Sequence, residues 1–184
     1  MNWQLVALSK VAASPWRNGG GSTRELLAWP NGADWRVRMS VADVAADGPF
    51  SAFPGVERWF CVLDGEGVTL RVGADAHTLR ADSPAFRFDG GAAVDCTLLA
   101  GATRDFNLMA VPGPARLRRI AGPQRLQPAP GSLVGLYAHR SGARIAAEAQ
   151  CLGVPAGALA WCVVPAAVEL QVDADDALWM EVLL

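Results

Sequence analysis

An all-β fold is what this sequence predicts, on three observations. Its apolar residues fall in strand-length runs punctuated by Gly, Pro and Asp. Nineteen glycines and twelve prolines are spread over the 184 residues, which leaves no room for a long uninterrupted helix. The clearest run alternates with period two: Trp35, Val37, Met39 and Val41 share one face, Arg36, Arg38, Ser40 and Ala42 the other.

Taken in order, the candidate strands are Trp3–Ser9, Thr23–Trp29, Trp35–Asp43, Arg58–Leu63, Val68–Val72, Ala85–Phe88, Val94–Ala100 and Asp105–Val111. A second series follows: Arg116–Ile120, Ser132–Ala138, Ala158–Val163, Ala167–Val172 and Ala177–Leu184. Strands this short and this frequent predict a sandwich or barrel, because closure removes exposed edges. Leu63-Asp-Gly-Glu-Gly67 reads as a tight hairpin turn whose glycines take positive φ. Val111-Pro-Gly-Pro-Ala115 is the expected junction between an N-terminal half, 1–112, and a C-terminal half, 113–184, which share an interface and some strands. Gln127-Pro-Ala-Pro-Gly131 lies inside the second half, and no internal repeat is visible.

Composition narrows the function. With 52% hydrophobic and 18% charged residues, the chain has enough apolar surface to offset its ordering entropy, so disorder is excluded. A net charge of −2, with Lys10 the only lysine, leaves no basic stripe for nucleic acid. The longest apolar runs, such as Leu159–Val164 and Leu178–Leu184, are far short of the roughly 20 residues that span a bilayer. The N-terminus has no basic region ahead of an apolar run, so no signal peptide is expected. Cys61, Cys96, Cys151 and Cys162 form no C-x-x-C pair and suit small buried residues. A cytoplasmic, reduced protein follows as the expectation.

Five blocks carry a resemblance. They are Pro15-Trp-Arg-Asn-Gly-Gly-Gly-Ser-Thr-Arg-Glu25; Trp35-Arg36 with Ser40 and Val41; Asp47-Gly-Pro-Phe-Ser-Ala-Phe-Pro-Gly-Val-Glu-Arg58; the Leu63–Gly67 turn; and Asp105-Phe-Asn-Leu-Met109. In this order and spacing they resemble the HutD/Ves family, over roughly the first 110 residues. The resemblance implies an RmlC-like cupin fold with two β-barrel or jelly-roll halves in one chain, a bicupin. It also implies a link to histidine utilisation, tuned by sensing an intermediate such as N-formiminoglutamate or formate. Arg38 is not part of the family pattern, and Ala110-Val111 stands where an arginine often closes the last block.

The site is expected in the N-terminal half. A typical cupin metal centre needs three histidines and a carboxylate, whereas this chain has only His77 and His139; no metal and no cofactor are expected. Gly19-Gly-Gly21 is not a phosphate loop, since no G-K-[ST] follows; a turn and a close ligand approach remain as its two readings. Strand parity with the family match directs Arg36 and Ser40 to a pocket, and leaves Arg38 on the surface or paired with a carboxylate. Asp105 and Asn107 share a face and either grip a polar ligand or order an arginine. Arg58, beside Phe50 and Phe53, suits bidentate carboxylate binding. The expected ligand-binding set is Asn18, Glu25, Arg36, Ser40, Arg58, Asp105 and Asn107, walled by Trp16, Phe50 and Phe53; each ring has core packing as its alternative role, and Glu25 the neutralisation of an arginine. No Ser-His-Asp order or G-x-S-x-G is evident, so no catalytic residue is assigned. The leading expectation is a metal-independent binding protein for a small anionic metabolite. The alternatives are a metal-independent isomerase, lyase or hydrolase with Glu25 or Asp105 as base, or a surface for a regulatory partner; a homodimer suits the fold.

Overall fold

Burial along the central strands is continuous, so those strands are covered on both faces and sit in the middle of sheets. A computed structural model describes residues 1–111, 113–147 and 150–184 and divides into two units, one of Ala12–Pro112 and one of Met1–Val11 with Gly113–Leu184. The chain opens with β1 (Gln4–Ala7) and a short 3-10 turn, Leu8–Lys10.

The first unit runs through β2 (Ser14–Pro15), β3 (Gly21–Trp29), β4 (Val37–Val44), β5 (Gly48–Pro49), β6 (Glu57–Asp64), β7 (Val68–Val72), β8 (Asp75–Leu79), β9 (Phe86–Asp89), β10 (Val94–Leu98) and β11 (Thr103–Ala110). Its six-stranded sheet has the order β2-β3-β4-β11-β6-β9, and its four-stranded sheet β5-β10-β7-β8, with every pairing antiparallel. Ala42, Val44, Phe60 and Val62 from the larger sheet meet Val68, Leu70, Val94 and Cys96 from the smaller. Closing strands into two stacked antiparallel sheets is the jelly-roll solution to exposed edges.

The second unit holds β12 (Ala115–Ile120), β13 (Gln124–Leu126), β14 (Ser132–Ala138), β15 (Ala143–Ala147), β16 (Gln150–Val154), β17 (Ala158–Val163), β18 (Leu170–Ala174) and β19 (Ala177–Leu183). Its sheets are β1-β17-β14-β19-β12 and β13-β18-β15-β16. The first strand of the chain therefore belongs here: Gln4–Ala7 pairs with Trp161–Ala158. The sequence reading, which cut the chain near 112, put this strand in the N-terminal half. The difference has a physical origin, since a strand takes whichever free edge accepts its backbone donors, and nothing in its side chains names that edge.

The sequence also missed the two-residue β2 and β5 and the longer β8, β13, β15 and β16. Ala143-Arg-Ile-Ala-Ala147 and Gln150-Cys-Leu-Gly-Val154 are alanine-rich or polar, and pairing rather than propensity makes them strands. The Leu63–Gly67 turn is as expected, with Gly65 and Gly67 at φ of 95° and 109°. Cys61, Cys96 and Cys162 are buried and Cys151 is exposed. Among the described residues no helix is long and apolar enough to cross a membrane.

Candidate functional site

One face of the six-stranded sheet changes character along its strands. In β4 the residues Arg38, Ser40, Ala42 and Val44 share this face; in β6 Arg58, Phe60 and Val62; in β11 Asp105, Asn107 and Met109. Antiparallel register lines them up in rows: Arg38–Met109–Arg58, then Ser40–Asn107–Phe60, then Ala42–Asp105–Val62. The apolar end fills the unit's core, while the arginine end opens onto a cavity of about 520 Å³. Trp16, Arg17, Asn18, Arg38, Ser40, Phe50, Phe53, Arg58 and Asn107 are among the side chains around it.

Arg58 is the central group. Only 7% of it is exposed, and its Nε and Nη2 donate to Asn107 Oδ1 at 2.9 and 2.6 Å. Its Cζ stands 4.7 Å from the centre of the Phe50 ring and 5.4 Å from that of Phe88, so aromatic faces replace much of its hydration. No carboxylate among the described residues pairs with it. Burial first, and then the Arg38 charge, lower its pKa to about 10 against the opposing charge of Asp105, so it remains a cation at neutral pH.

Below it, Asp105 is fully buried. Thr103 Oγ1 donates to Asp105 Oδ2 at 2.8 Å, while Oδ1 has no hydrogen-bond partner. Burial pushes this carboxyl up to about 7, against the opposing pull of the Thr103 hydrogen bond and the Arg58 charge. Asp105 does not line the cavity; it is a buried group beneath the arginine.

Trp16 and Phe50 meet edge-to-face at 6.1 Å, and the Trp16 Nε1 donates to Thr23 Oγ1 at 2.8 Å. The glycine run serves two local needs. Gly19 sits at φ 73° in the turn closed by Asn18 Oδ1, which accepts from Gly20 N at 3.0 Å. At Gly21 an added Cβ would collide with Asp43 O and crowd the Trp16 ring at 3.1 Å.

One expectation needs correcting. Arg36 was assigned to the pocket; it lies one residue before β4, is exposed, and does not line the cavity. Its backbone bridges Trp29 O and Val111 N, which fixes the chain here and leaves the side chain past the end of the cavity. Arg38, expected on the surface or in a carboxylate pair, is in such a pair, its Nε donating to Glu25 Oε2 at 2.6 Å; its side chain also lines the cavity. Parity alone pairs Arg38 with Ser40, so the signal was present. Glu25 itself is bound to Arg38 and is not among the lining residues. Arg17, Thr23 and Phe88, absent from the sequence reading, belong to the site or its support.

His77, in β8, rests 4.3 Å from the Phe86 ring centre, and His139 follows β14. Among the described residues no three His, Cys, Asp or Glu side chains converge in a way that could hold a metal ion.

Two sandwiched sheets repeated in one chain, the first with a polar pocket, define a bicupin. At 10% identity a bacterial pirin from Escherichia coli in complex with nickel(II) shares the fold, with a TM-score of 0.70 over 99% of each chain. The HutD family model matches residues 8–180, and the chain belongs to that family, which is related to histidine utilisation. A 21.2 kDa protein in the hutC 3′ region of Pseudomonas putida is 37% identical over 160 residues, 82% of this chain and 83% of its own. Protein Ves of Citrobacter koseri is 42% identical over 105 residues, 55% and 54% of the two chains. HutD from Pseudomonas fluorescens SBW25, in a formate condition, superposes with a TM-score of 0.83 at 27% identity, covering 98% of this chain and 97% of its own.

Proposed function

We propose that the N-terminal barrel is a receptor for a small carboxylate, and that this chain tunes histidine utilisation by sensing an intermediate such as N-formiminoglutamate or formate in the cytoplasm. The observation that carries the reading is Arg58: a buried guanidinium, held by a neutral amide between two rings, facing a cavity and, among the described residues, in no ion pair with a carboxylate. A buried cation left without its anion is costly, and a ligand carboxylate supplies the missing charge with two parallel hydrogen bonds.

Of the two carboxyls considered as a catalytic base, Glu25 is bound to Arg38 and Asp105 lies beneath Arg58, neither lining the cavity. Binding without turnover is therefore the better-supported reading.

Thermal unfolding of metal-stripped protein tests it. Saturating formate and N-formiminoglutamate should raise Tm, and Arg58→Met, which keeps the volume but removes the charge, should abolish the shift. A full shift in Arg58→Met would remove Arg58 as the anchor. A shift with divalent metals alone would replace this reading with a metal site.

A further inference from the structure

The cavity carries more positive charge than a single carboxylate uses. Arg17, Arg38 and Arg58 line it, and no Asp or Glu does among the described residues. Arg38 and Arg58 lie in the same row, on either side of Met109. Two strand spacings separate their backbones, roughly 10 Å, so their side chains address the same space from opposite walls. Each guanidinium lies near a ring of the 50–53 loop: Arg58 Cζ at 4.7 Å from the Phe50 centroid, Arg38 Cζ at 6.0 Å from that of Phe53. Arg38 is 21% exposed in its side chain and gives only its Nε to Glu25, so its outer nitrogens remain available toward the cavity.

We propose that Arg38 is a specificity residue and that the site selects short dicarboxylates over monocarboxylates, one carboxylate bound by Arg58 and the second by Arg38. This rests on the carboxylate-receptor reading and names the ligand class within it. Two like charges facing one cavity repel, and a ligand bearing two anions relieves that repulsion, whereas a ligand bearing one leaves it half in place. Glu25 holds the Arg38 guanidinium by its Nε edge, which orients the fork and leaves the other edge for the ligand. Ser40 and Asn107, in the next row, offer neutral polar contacts between the two charged ends.

The test compares glutarate with butyrate, which differ in whether a carboxylate or a hydrogen ends the same three-carbon spacer, and uses formate as the reference anion, with affinities from calorimetry. Wild-type protein should bind glutarate about tenfold more tightly than butyrate, the worth of one extra charge-assisted pair. Arg38→Gln should bring the two within about twofold of each other. Glu25→Gln serves as the second variant: it removes the charge of the Arg38 ion pair, while its amide oxygen can still accept from Arg38 Nε and hold the fork, and it should keep the preference for glutarate. If Glu25→Gln loses that preference as fully as Arg38→Gln does, Arg38 acts only through its ion pair and the proposal fails. Formate binding with no preference for glutarate in the wild type sinks the dicarboxylate inference alone, while absence of all carboxylate binding sinks it together with the receptor reading.

Discussion

The two units share one construction and fill it differently. Each stacks a four-stranded antiparallel sheet with a larger one. In the C-terminal unit the space between sheets is occupied by Val134, Leu136, Ile145, Leu170, Val172 and Trp179, with no buried charged side chain among the described residues. In the N-terminal unit the corresponding kind of space holds Arg58, Asp105, Asn107 and Ser40 together with a cavity. Apolar filling stabilises a sandwich at about 25 cal/mol per Å² buried, whereas a buried guanidinium and carboxyl cost desolvation energy. The comparison teaches that one unit fills its inter-sheet space with apolar side chains, while the other keeps unfilled, polar space of the kind the proposed receptor needs.

The largest expected effect breaks the filled unit. Trp179→Ala should cost about 3–5 kcal/mol of stability, read by urea denaturation, because a large buried ring leaves a cavity that neighbours cannot close. Protein that still folds under mild conditions should retain carboxylate binding, since Trp179 belongs to the other unit; parallel loss of binding would show the units to be energetically inseparable.

Asn107→Leu sharpens the contrast from the polar side. It takes away the acceptor for two Arg58 donors and should destabilise by about 1–3 kcal/mol, while Arg58→Met, which removes the buried charge and so offsets the partner lost by Asn107, should cost less in ligand-free protein. Equal destabilisation by both would mean that the Arg58–Asn107 pair is structural. Gly21→Ala should cost about 1–3 kcal/mol by differential scanning calorimetry, because the obstructing Asp43 O is backbone and cannot rotate away.

Proton linkage separates the units as well. Asp105 has its pKa raised to about 7 in the folded chain, above the ordinary carboxylate value of 3.8. Folding therefore favours the protonated form: this group's penalty is absent below the unfolded pKa, grows as pH rises between the two values, and is complete above about 7. Asp105→Asn should flatten the fall in Tm between about pH 4 and pH 7, and no loss of slope would exclude Asp105 as its source. The smallest effect belongs to Glu25→Gln, which removes a half-exposed ion pair and should change stability by about 1 kcal/mol or less.

Much of this was legible in the sequence. Period-two alternation over Trp35–Asp43 placed Arg38 and Ser40 on one face and Val37, Met39 and Val41 on the other, and the structure has this parity because pleating enforces it. The strand-length apolar runs and the spread of Gly and Pro pointed to an all-β chain. What parity does not encode is how far along a strand a pocket extends: Arg36 and Arg38 have the same parity, yet only Arg38 lines the cavity, because Arg36 precedes the strand. Nor does it encode register between strands, which alone sets Arg38, Met109 and Arg58 in one row.

The sequence by itself thus determined local matters, such as strand periodicity, turn glycines and the motif residues of the family, since each depends on neighbours a few positions away. Only the tertiary structure decided which sheet edge receives the first strand, that Arg58 is buried against Asn107 between Phe50 and Phe88, and that Asp105 lies beneath it with one oxygen unpartnered. Those outcomes depend on long-range pairing and on solvent exclusion, both properties of the closed sandwich rather than of any segment within it.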